Sequence, residues 1–77
     1  MSKPTESEVL SAINTILSDK RSYPTSLNYA INYCRAALAM RGEELKVQCL
    51  YILNNIQRWR HEKAKEVRTT LRSFSSR

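Results

Sequence analysis

Only Pro4, Pro24 and Gly42 interrupt this backbone with a residue that resists helix, and nothing after Gly42 is glycine or proline. A β fold of this length needs a turn every few residues, and the turn-formers for it are missing. Helices are the economical solution, so the chain is expected to be all-α: a small bundle of three to four helices. Its 77 residues, 42% hydrophobic and 26% charged, suit one folded domain over residues 1–77, frayed at 1–4 and 75–77. A domain this small buries only about 60% of the surface that its unfolded chain exposes, so its core positions carry much of the weight.

The breakers and the apolar periodicity mark the segments. Thr5 and Glu8 form a capping box ahead of Val9, Leu10, Ile13, Ile16 and Leu17, which predicts a helix over 6–18. The run from Asp19 to Pro24 reads as a turn. Thr25 or Ser26 can cap a second helix over 26–41 whose core face is Leu27, Ala30, Ile31, Cys34, Ala37 and Leu38. Gly42 fits the left-handed residue that ends it, and Glu43 and Glu44 suit the start of a third helix. From there Leu45, Cys49, Ile52, Leu53, Ile56, Trp59, Val67, Leu71 and Phe74 keep one helical stripe. Two helices over 43–60 and 62–74 with a break near His61, or one kinked helix, both satisfy that pattern. Val47, Leu50 and Tyr51 fall on the opposite side of the third helix. Either that helix is the centre of the bundle or a second copy of the chain covers it, and a homo-oligomer is expected.

Charge divides the molecule. In residues 1–44 five basic residues balance five acidic ones, so the whole net charge of +6 lies in residues 45–77. Arg58, His61, Lys65, Arg68 and Arg72 are spaced 3, 4, 3 and 4 apart, which on a continuous helix lines one edge opposite the apolar stripe. Such an edge suits a phosphate backbone or a phosphorylated nucleotide, with Arg58, Arg68 and Arg72 as anchors and Lys65 and His61 in support. A merely solvated outer face is the alternative. Asn54, Asn55, Gln57 and Arg58 are residue types that read base edges, but Asn54 and Asn55 fit exposed polar positions of the third helix better. Trp59 belongs to the core stripe. Tyr29, Tyr33, Met40, Val47, Leu50 and Tyr51 are candidates for a protein interface, and Tyr29 and Tyr33 read as interface packing before base stacking.

No enzyme chemistry emerges. One histidine and two cysteines 15 residues apart make no metal set and no nucleophile pair, and one glycine cannot build a phosphate loop. No cofactor is expected. Cys34 and Cys49 fall on facing core stripes as reduced thiols. Nothing approaches a membrane span, and the N-terminus has no apolar signal core, so the expected compartment is the cytoplasm.

The stretch GEELKVQCLYILNNIQRWRHEKAKEVRTTLRSF, residues 42–74, resembles small uncharacterised helical accessory proteins of bacteriophages and prophages: an apolar helix ending in Trp-Arg, then a basic amphipathic segment. The resemblance implies a non-enzymatic phage protein in a bacterial cytoplasm. Such a protein would counter host defence by binding nucleic acid or a nucleotide signal, or else a host protein.

Overall fold

The computed structural model describes residues 4–75, and they form four α-helices. These are α1 (Glu6–Ser18), α2 (Ala30–Ala37), α3 (Gly42–Asn54) and α4 (Ala64–Ser75), with one 3-10 turn at Lys20–Ser22. No strand occurs among the described residues. The protein is a small all-α bundle. α1 packs on α2 and α4, and α3 packs on the same two helices, so the four close into a ring around one core. Two contacts between distant residues fix the direction of the helices. The Gly42 N–H donates to Glu6 Oε2 (2.6 Å) at one end, and the Trp59 indole N–H donates to Asp19 Oδ2 (2.8 Å) at the other. The helices therefore run up, down, up, down.

α1 starts as its sequence demands. Glu8 N–H donates to Thr5 Oγ1 (3.1 Å) and Thr5 N–H donates to Glu8 Oε1 (3.0 Å), which completes the capping box. Its Val9, Ala12, Ile13 and Ile16 are buried.

The second helix is much shorter than the 26–41 expected. Residues 23–29 form successive turns instead, because Pro24 has no N–H to donate and Thr25, Ser26 and Asn28 compete poorly for helix. Leu27 N–H returns to Ser22 O (2.9 Å), which seats the Leu27 side chain in the core. Neither Thr25 nor Ser26 caps α2, whose N-cap is Tyr29. At the other end, bonds from Leu38, Ala39 and Met40 N–H to carbonyls three residues back tighten the chain out of helix. Leu38 is thereby turned toward solvent rather than into the core.

Gly42 is left-handed, with φ +60, as its position suggested. It opens α3, however, rather than closing α2. Arg41 before it is extended and offers α3 no side-chain cap, so the Glu6 carboxylate takes that place from 36 residues away.

Of the two expected patterns the structure has two helices with a break that includes His61: α4 lies close to the expected 62–74, whereas the helix expected over 43–60 is shorter. α3 ends at Asn54, and residues 55–63 form an irregular bridge to α4. Ile56 and Trp59 are still buried, so the core stripe survives without the helix that would produce it. Ser75 belongs to α4, where its hydroxyl donates to Arg72 O (3.2 Å), so the expected fraying does not reach it. The fraying expected at 1–3, 76 and 77 lies outside the described residues.

Candidate anion-binding site

The bridge between α3 and α4 is held at both ends by apolar anchors. Ile56 and Trp59 are drawn inward, three residues apart, so Gln57 and Arg58 between them and Arg60 after them face outward. Local turns close the path: Ile56 N–H donates to Leu53 O (3.4 Å) and Trp59 N–H to Ile56 O (3.1 Å). Two bridge carbonyls, those of Ile56 and Trp59, accept from Arg68 Nη1 at 3.4 and 3.2 Å. One guanidinium on α4 thus braces the whole connection. A guanidinium has five N–H groups, so Arg68 keeps donors beyond those on Nη1.

Trp59 carries a second layer of contacts. Its indole N–H bonds to Asp19, and the His61 ring stacks over it with centroids 5.3 Å apart and planes 21° from parallel. His61 Nδ1 accepts from Lys63 N–H (3.1 Å), so the neutral ring carries its proton on Nε2. The bonds from Trp59 and Ser22 hold the Asp19 carboxyl below its ordinary 3.8, against a smaller desolvation cost, and the charges of His61 and Arg21 act in the same direction.

Around this stack lies an open hollow of ≈ 770 Å³ lined by Arg58, Arg60, His61, Glu62, Lys65 and Arg68 together with Gln57, Trp59 and Ala64. Three guanidinium groups and an ammonium face one carboxylate. Among the described residues the single ion pair is Lys46–Glu43, on α3 and away from the hollow. The excess positive charge is therefore free to meet an anion.

The five residues singled out by spacing do not share one helical edge. Lys65, Arg68 and Arg72 do so, on α4, but Arg58 and His61 sit on the non-helical bridge. The bridge folds back so that Arg58, His61, Lys65 and Arg68 still meet at the hollow. Arg72 does not line it; it stands one turn farther along the same face of α4, exposed. Spacing alone missed Arg60 and Gln57, because on a continuous helix Arg60 would point away from that edge. The alternation of inward Trp59 with its outward neighbours was the available signal. Lys63 faces elsewhere, in a groove between α1 and α4 where Glu8 and Glu66 offset it.

The candidate interface residues divide as well. Tyr29, Tyr33, Val47, Leu50 and Tyr51 are exposed, and Tyr33 and Tyr51 stack across α2 and α3 with centroids 5.7 Å apart. α3 is thus not buried on both sides within one chain. Met40 is half-buried against the core and offers little to a partner. Cys34 and Cys49 are buried, and burial pushes their thiols up from 9.0 to about 12 and about 11, so both stay protonated at neutral pH. No group of three or more His, Cys, Asp or Glu that could hold a metal ion occurs among the described residues. Among the described residues no helix is long and apolar enough to cross a membrane. No known family model, curated protein or solved structure matches this chain.

Proposed function

We propose that this protein is a non-enzymatic binding module for a phosphate-bearing ligand, nucleic acid or a nucleotide, held in the hollow between the 55–63 bridge and α4. One observation carries the reading: Arg58, Arg60, Lys65 and Arg68 converge on a concave surface with Glu62 as the single acidic group. Arginine forks can take two phosphate oxygens each, and the concave shape raises the local potential above that of a convex basic face. Arg72 extends the positive track along α4. An accessory role in a phage-infected cytoplasm, as the resemblance of residues 42–74 implies, is compatible with such a ligand.

The test is fluorescence anisotropy with a labelled oligothymidylate about 12 nucleotides long, titrated at several salt concentrations. The Arg58→Ala/Lys65→Ala variant is the informative one, because neither side chain holds the fold. Its affinity is expected to fall at least about tenfold, with the log–log salt slope flattened by about 0.7 for each cation lost. An unchanged affinity, or no binding by the parent protein at low salt, rejects the hollow as an anion site.

A second reading follows from the apolar α3 face. Val47, Leu50 and Tyr51, with Tyr33 beside them, are 38–49% exposed, an unusual load for so small a surface. The occupant that fits best is a second copy packed antiparallel on α3. That arrangement sets the acidic start of each helix, Glu43 and Glu44, beside the amide-rich end of the other, Asn54 and Asn55, whereas parallel packing would oppose like charges. Sedimentation should give a dimer that Leu50→Glu/Tyr51→Glu converts to monomer. A parent protein that stays monomeric leaves that face to a host protein or to solvent.

A further inference from the structure

A second depression adjoins the basic hollow and shares Gln57 and Arg58 with it. On its wall stands Tyr29, 73% exposed and the most exposed large apolar side chain among the described residues. Beside it are Asn54, at the end of α3, and the amide of Gln57. The neighbouring Asn55 amide donates to Tyr51 O (2.8 Å), whereas no hydrogen bond occupies the Asn54 or Gln57 side chain among the described residues. Tyr29 also differs from Tyr33, whose ring is already stacked on Tyr51.

An open aromatic face next to unpaired side-chain amides is the chemistry that receives a nucleobase. The ring offers a stacking surface, and each amide presents a donor and an acceptor to a base edge. Duplex DNA hides its base faces, so only an unstacked base can use Tyr29. The position matters as much as the chemistry. Arg58 lines both depressions, and a nucleotide places its phosphate and its base on opposite sides of the sugar.

We propose that the ligand is a single-stranded nucleic acid, whose phosphate lies in the basic hollow and whose adjoining base stacks on Tyr29 with its edge toward Asn54 and Gln57. The proposal rests on the hollow being an anion site. It revises the sequence-based preference for Tyr29 as interface packing, because in the folded chain Tyr29 stands over polar groups instead of the α3 apolar face.

Anisotropy titrations with three probes separate the two claims: oligothymidylate, an abasic sugar–phosphate strand of equal length, and a duplex of equal length. The parent protein should bind oligothymidylate at least about fivefold more tightly than the abasic strand. Tyr29→Ala should erase that preference while leaving abasic binding unchanged, and Tyr29→Phe should keep it, since stacking does not need the hydroxyl. Asn54→Ala/Gln57→Ala should weaken the preference in part. Circular dichroism checks that each variant is folded, which the exposure of Tyr29 favours. Equal affinity of the parent for the abasic and base-bearing strands overturns the base site but leaves the anion site standing. Equal or tighter duplex binding overturns the single-strand assignment. Failure of all three probes to bind overturns the anion site and the base site together.

Discussion

Two connections join the last three helices, and they are built on opposite principles. The α2–α3 connection is four residues long and depends on backbone chemistry: an extended Arg41, a left-handed Gly42 and one carboxylate from Glu6. The α3–α4 connection is nine residues long, has no glycine or proline, and depends on what its side chains reach. Ile56 and Trp59 are buried, Asp19 holds the indole, and Arg68 holds two carbonyls. The first connection only reverses the chain. The second, tied down from inside, can present every outward side chain in a fixed arrangement, and there the cations gather. A loop fixed by its anchors is suited to a binding site in a way that a minimal turn is not.

Removing the main anchor should separate the two most sharply. Trp59→Ala deletes a buried ring and its bond to Asp19, with an expected loss of about 3–5 kcal/mol in urea unfolding followed by circular dichroism. For so small a domain that is close to its whole stability. Anisotropy should show oligothymidylate binding lost as well.

Arg68→Ala is next, and it distinguishes bracing from binding. It strips two bridge carbonyls of a charged donor, with an expected loss of about 1–2 kcal/mol alongside weaker binding. Arg58→Ala should weaken binding to a similar degree and leave the urea midpoint where it was. Equal stability in the two variants would mean that Arg68 braces nothing.

Gly42→Ala tests the other connection. No atom lies within 4 Å of the added methyl, so only the left-handed backbone resists it, at a cost of about 1 kcal/mol. Unfolding should shift accordingly, while oligothymidylate affinity stays the same.

The smallest effect is in acid. Asp19 titrates below its ordinary 3.8 in the folded chain, so it contributes stability that is present above that value and fades as pH falls through the folded one. Asp19→Asn should be less stable than the parent at neutral pH, with the gap closing in acid. Thermal melts by circular dichroism across that range check the sign.

These two connections also show what the sequence could and could not reveal. The capping box, the breaker at Pro24, the left-handed glycine and the buried stripe were readable because each depends on local geometry or on periodicity alone. Ile56 and Trp59 were correctly assigned to the core, yet their burial continued the helical rhythm across residues that are not helical. Periodicity records which side chains face inward and is silent on the backbone path between them. The end of α3 at Asn54 depends on the pull of Asp19, 40 residues from Trp59, and on the reach of Arg68, and neither has a local signature. Four of the five basic residues still converge. The reason for their meeting is the folded bridge, not a helix edge, which is why Arg60 entered the cluster and Arg72 dropped out.

The stacked His61 and Trp59 give the molecule a built-in optical reporter. It is the chain's single indole, so its emission is unmixed with any other. The two rings are in contact and both line the hollow, so an anion that enters it changes the surroundings of the indole. Occupancy should therefore alter the native protein's own emission, with no dye attached, and His61→Phe should change that response.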